Sequence, residues 1–161
     1  MHRSVYEVTH KPIPISQRTR AGNLPDWFYE RVCDYAENTT PEQREAAIRA
    51  LSLSLGPGCD RNGDRLMLSP TVRDTFFRES YHCFRTAAKA LSMTDYAVFA
   101  GVQPAPAFQA ALSGLNDSYE DTRGIYIYST ETELLVTLEY WLRNADLSLP
   151  FYIGGVVDYH Y

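Results

Sequence analysis

The chain has 161 residues, with 15 Lys or Arg against 20 Asp or Glu for a formal net charge of −5, and its 45% hydrophobic and 22% charged residues are ordinary globular values. That composition excludes a disordered or collagen-like chain, and the acidic balance gives no reason to expect avid binding to nucleic acid or to an anionic membrane. No apolar run approaches the ~20 residues of a membrane span. The first twenty residues carry Arg3, Glu7, His10, Lys11, Arg18 and Arg20, and Cys33, Cys59 and Cys83 have no metal-ligand spacing. The expectation is a cytoplasmic protein with reduced thiols and no signal peptide of ordinary form.

Residues 3–10 alternate with high β propensity and predict a first strand. Residues 11–23 hold Pro12 and Pro14 with Lys11, Arg18 and Arg20, which predicts an extended, Pro-rich basic arm that cannot join a central ladder. Pro25 and Asp26 are helix-start signals, and Phe28, Val32, Tyr35 and Ala36 continue a helical stripe towards Asn38. A second helix opens at Thr40-Pro41-Glu42-Gln43 with the spacing of a capping box, buries Ala47, Ile48, Leu51 and Leu55, and stops at Gly56. Residues 56–64 read as a loop with Asn62-Gly63 as a tight turn, followed by a short strand over 65–68.

Ser69-Pro70 precedes the longest helix, which runs to about Met93 and keeps Val72, Phe76, Cys83, Phe84, Ala87 and Leu91 on its apolar face. Residues 94–101 fit a short helix or a strand. Pro106 opens an alanine-rich helix through Leu115. Residues 124–129 alternate Ile and Tyr as a strand, and Thr130 with Glu133 has the spacing of another capping box. The helix expected there would bury Leu134, Leu135, Leu138, Trp141 and Leu142. Residues 150–161 form the last strand, whose apolar run, unbroken by charge before Asp158, suits a central strand or one covered on both faces. Together these elements predict one α+β domain over 1–161, a small mostly antiparallel sheet (strands near 3–10, 65–68, 124–129 and 150–161) covered on one face by four to five helices. The first and last strands are expected to pair.

Two constellations could carry chemistry. On the long helix Arg78, His82, Arg85 and Lys89 fall within an arc of roughly 60° opposite the apolar stripe, a basic ridge able to grip phosphates or an acidic surface with help from Arg18 and Arg20. The plainer reading is the solvated face of an amphipathic helix. On the last strand Asp158 and His160 share a face about 7 Å apart, an acid–base couple if Tyr126 or Tyr152 stands near, or simply a strand end emerging into water. The Asp60–Asp64 run resembles a calcium loop only superficially, because Arg65 and Thr71 occupy the places of its glycine and its bidentate glutamate. No GxSxG, P-loop, GxGxxG or HExxH occurs, Gly154-Gly155 is too short for a phosphate cradle, and His82 and Cys83 point ~100° apart. The sequence therefore favours a small non-enzymatic protein-binding or accessory module, with self-association as a homodimer included and neither cofactor nor metal expected. The 12 tyrosines suit such contacts. The alternatives are nucleic-acid or phosphate-ligand binding by the long helix, and an enzyme built on Asp158 and His160.

Overall fold

The computed structural model describes residues 2–103, 105–119 and 123–161. The chain packs as two compact units, Met1–Thr75 with Arg123–Tyr161, and Phe76–Thr122. Among the described residues the first unit holds seven strands: β1 (His2–Thr9), β2 (Tyr35–Asn38), β3 (Cys59–Asn62), β4 (Arg65–Leu68), β5 (Tyr126–Ser129), β6 (Leu134–Thr137) and β7 (Phe151–His160). They form one sheet in the order β3-β4-β7-β1-β5-β6, with β2 also paired to β7. Only the β1–β5 pair is parallel, so the α+β, mostly antiparallel expectation holds.

The terminal strand is the centre of this sheet. Along one edge β1 runs antiparallel to it from His2 opposite His160 to Thr9 opposite Tyr152. The other edge is divided between β2, from Tyr35 opposite His160 to Asn38 opposite Val157, and β4, with Leu66 opposite Phe151. Both faces of β7 are covered, which corrects the one-sided layer expected from the sequence. Adjacent residues Val156 and Val157 point to opposite faces, yet both are buried. On one face Tyr6 donates its hydroxyl to the Ala47 carbonyl of the helix Pro41–Leu55 at 2.9 Å. On the other, Val5, Val157 and Tyr159 pack with Leu24, Phe28 and Cys33. The apolar run in the sequence is the signature of that two-sided burial.

Local signals and pairing share control of the elements. α1 (Asp26–Arg31) begins where Pro25 places it but stops seven residues short of Asn38, and Tyr35–Asn38 becomes β2 because that stretch finds a partner in the end of β7. α2 (Pro41–Leu55) opens on the expected reciprocal cap, in which Gln43 N donates to Thr40 Oγ1 at 3.2 Å and Thr40 N to Gln43 Oε1 at 2.8 Å. Gly56 ends it at φ 83°. The expected loop over 56–64 is half strand: β3 and β4 make a hairpin closed at Asn62 and Arg65, with Gly63 at φ 60°.

The capping box at Thr130 and Glu133 does not form. Those residues turn β5 into β6 and Glu133 adopts φ 54°, so the helix, Leu138–Asn144, starts at a different cap, with Tyr140 N donating to Thr137 Oγ1. Leu134, expected inside, is exposed, while Leu138 and Leu142 are buried as expected. The long helix, Thr71–Ser92, begins in the first unit, where Arg73 donates to the Leu142 carbonyl at 2.7 Å and to the Ala145 carbonyl.

The second unit takes in the rest of that helix, a short helix Tyr96–Phe99 and the helix Pro106–Tyr119. Helix therefore prevails at 96–99, where the Asp95 carboxylate accepts the Val98 amide at 2.9 Å. Cys83, expected on the inner stripe, is exposed, and Phe84 is only partly covered.

Candidate functional site

The arm between β1 and α1 is drawn onto the sheet by one buried carboxylate. Register between β1 and β7 slips so that Tyr6 faces Val156 and Val8 faces Ile153, which leaves Gly154 and Gly155 opposite Glu7 alone. The Glu7 carboxylate accepts the Gly155 amide at 2.6 Å, the Thr19 amide at 2.8 Å and the Thr19 hydroxyl at 2.7 Å. Three donors satisfy a charge that would otherwise be costly to bury. The two glycines make this possible: a Cβ on Gly154 would collide with the Glu7 carboxylate, and one on Gly155 with the Thr19 carbonyl oxygen. A glycine pair within an apolar strand thus marks a close backbone approach, as such glycines commonly do.

A second tie lies beside the first. Asp64, in the β3–β4 turn, accepts Arg18 Nη2 from the arm and Arg44 Nη1 from α2, each at 2.8 Å. Arg44 also donates through Nε to the Gly154 carbonyl at 2.8 Å and through Nη2 to the Ile153 carbonyl at 2.6 Å, which satisfies two β7 carbonyls. Between arm, α2 and β7 there remains a cavity of about 380 Å³ lined by Ile15, Arg18, Arg20, Pro41, Arg44 and Val156 among others. Arg20 stands at it exposed, with no side-chain partner among the described residues.

The residues singled out from sequence fall in three places. Asp158 and His160 lie near the end of β7, and what meets them is His2 rather than a tyrosine. His2 Nδ1 sits 2.8 Å from Asp158 Oδ2, and the His2 and His160 rings are T-shaped with centroids 5.5 Å apart. The Tyr126 ring is turned to the other face, against Phe28 and Tyr159, and Tyr152 is six residues, roughly 20 Å, along the strand. The His2 ring is 72% exposed, so water reaches the couple freely.

Arg78, His82, Arg85 and Lys89 are all exposed on the long helix within the second unit, without a side-chain partner among the described residues. Arg18 and Arg20 belong to the first unit and to the cavity just described. Glu7, Thr19, Arg44 and Asp64 were not singled out from the sequence, because nothing local ties the arm to α2 or to the hairpin turn.

The thiols offer no activated nucleophile at the first unit. Burial pushes the Cys33 and Cys59 thiols above their ordinary range, the reverse of what a nucleophilic cysteine needs. Among the described residues no group of three or more His, Cys, Asp or Glu is arranged to hold a metal ion, and no helix is long and apolar enough to cross a membrane. No protein-family model, curated protein or solved structure matches the chain.

Proposed function

We propose that the protein is a non-enzymatic association module whose helical unit pairs with a second copy of the chain. One observation carries this reading. Among the described residues of Phe76–Thr122 the buried hydrophobics are Phe76, Ala87 and Ala111, two of them alanine. Tyr81, Met93, Tyr96, Phe99, Val102 and Tyr119 are each at least 60% exposed. Burial returns roughly 25 cal/mol per Å² of apolar surface, so a helical segment this short with so small a core gains most from a surface that covers its aromatic side chains.

The charge of the unit is small: Arg78, Arg85 and Lys89 stand against Glu79, Asp95, Asp117, Glu120 and Asp121, a formal −2. Both signs are present, so two copies related by a twofold axis can set basic side chains against acidic ones. The exposed Tyr81 and Tyr96 are the side-chain type that anchors interfaces, and three free cysteines fit a cytoplasmic setting.

Light scattering on the full chain tests the reading. The expected result is a dimer that becomes monomeric when Tyr96→Ser and Phe99→Ser are introduced together, with the circular dichroism of the sheet retained. A wild-type monomer at high micromolar concentration would overturn it. A band shift of DNA or RNA at low salt, lost in Arg85→Ala with Lys89→Ala, would instead assign the same helix to phosphate backbones.

A further inference from the structure

We infer that the cavity between the arm, α2 and β7 in the first unit is a binding site for a small organic oxyanion, a phosphate or carboxylate carried on a compact apolar body. This site is independent of the association surface, since all its parts belong to the first unit.

Three guanidinium groups border the cavity and their obligations differ. Arg44 is committed at all three nitrogens, to Asp64 and to the carbonyls of Ile153 and Gly154, and so serves as a fixed wall of positive charge. Arg18 gives one terminal nitrogen to Asp64, and its Nε is buried without a hydrogen-bond partner. The Arg20 side chain gives a hydrogen bond to no partner among the described residues.

The carboxylates nearby are already engaged. Asp64 is shared between Arg18 and Arg44, Glu45 at the rim is held by Arg61 at 2.6 Å, and Glu7 is saturated by three donors behind the wall. Arg18, Arg20 and Arg44 therefore face a single shared carboxylate, three positive charges against one negative, and Arg20 has no ion-pair partner among the described residues. Arg18 and Arg44 are only 21% and 13% exposed, so their field on the cavity is less screened than that of a surface arginine.

The rest of the lining says what the anion is attached to. Pro41 and Val156 give an apolar wall, and Ile15 stands exposed beside it where a ligand body would cover it. At about 380 Å³ the cavity lies within the range of small-molecule sites, roughly 300–1,000 Å³. Oxyanion head on Arg20 within the field of Arg18 and Arg44, apolar body on Ile15, Pro41 and Val156, is the arrangement that these side chains offer. The Gly154-Gly155 pair contributes no cradle of its own. It lets the arm sit close enough to bring Arg18 and Arg20 to the site.

Calorimetric titration of the full chain with inorganic phosphate, phenyl phosphate and benzoate tests the inference, and the better of the last two identifies the head group. Phenyl phosphate or benzoate is expected to bind more tightly than inorganic phosphate, with affinity falling as salt rises. Arg20→Gln is expected to weaken that binding about tenfold, the loss of one charge-assisted hydrogen bond, with an unchanged melting temperature because Arg20 supports nothing else. Amide resonances of Thr19 and Gly155 should shift on titration. Failure of all three probes at millimolar concentration would overturn the site, as would an Arg20→Gln protein that binds like the wild type. Neither result depends on whether the chain dimerises, because the protein carrying Tyr96→Ser and Phe99→Ser is expected to bind these probes as the wild type does.

Discussion

The carboxylate of Glu7 and the amide of Gly155 meet at 2.6 Å across the one slip in register between β1 and β7. The same carboxylate accepts two more hydrogen bonds from Thr19, so strand and arm share a single buried acceptor. Glu7→Gln keeps the shape but removes the charge, and its NH2 fits only at the Oε1 place, where the Thr19 hydroxyl turns to accept it. The expected cost is about 1–2 kcal/mol, the charge assistance lost at the two backbone amides. Urea denaturation of the variant measures it, and a loss below a few tenths of a kcal/mol would show that the strap contributes little.

Three glycines separate steric need from mere composition. Gly155→Ala would drive its Cβ into the Thr19 carbonyl, a backbone atom that yields only if the arm lifts. A loss of about 2–3 kcal/mol is expected, with faster tryptic cleavage after Arg18 and Arg20. Gly154→Ala would meet the Glu7 carboxylate and the Ile13 side chain and is expected to be comparably harmful. At Gly22, in the same arm, a Cβ meets nothing within 4 Å, and Gly22→Ala should lie within about 0.5 kcal/mol of wild type. Equal effects at Gly155 and Gly22 would sink this account of the arm.

Stability should fall at alkaline pH through two tyrosines. Burial, and secondarily Tyr126, raises the Tyr159 hydroxyl well above its ordinary value of 10.0, and burial raises Tyr6 on the opposite face. A folded-state pKa above the unfolded one means that the contribution is complete below about pH 10 and is lost as pH rises through the folded value. Melting temperature should therefore hold between about pH 8 and 10 and decline above, while the ultraviolet signal of these two tyrosinates appears only with unfolding. At neutral pH Tyr159→Phe removes the 2.7 Å bond to the Gly124 carbonyl and should cost about 1 kcal/mol. That deficit is expected to shrink above pH 10, because phenylalanine has no proton to lose.

What could be read from sequence was what short-range physics decides. The alternation of β1, the apolar run of β7, the reciprocal cap at Thr40 and Gln43 and the stop at Gly56 are local properties, and each stands in the structure. The strands missed, β2, β3 and β6, have four residues each, too few for a period of 2 to outweigh a helical stripe or a loop composition. They exist because β7, β4 and β5 offer them hydrogen bonds. The same limit applies to the site. Asp158 and His160 could be placed on one face by alternation, but His2 reaches them only through the register of β1. Arg18 and Arg20 could be placed on an arm, yet Asp64 and Arg44 meet them only after α2 and a hairpin turn fold onto β7.

The turn from β5 to β6 gives the sharpest contrast between a local motif and its context. Thr130 and Glu133 have the spacing of a capping box, which requires Glu133 at a helical position with negative φ. In the structure Ser129 pairs with Leu134, and Glu133 takes φ 54°, a left-handed conformation that costs a non-glycine residue about 1 kcal/mol or more. Glu133→Gly relieves that strain, though glycine also loses more entropy on folding. A net gain of about 0.5 kcal/mol is expected, and Glu133→Val, branched at Cβ, should instead lose 1 kcal/mol or more. A capping glutamate would give the opposite sign, because removing it forfeits an N-terminal hydrogen bond and destabilises the helix. Chemical denaturation of the glycine variant decides between hairpin and cap by the direction of the shift alone.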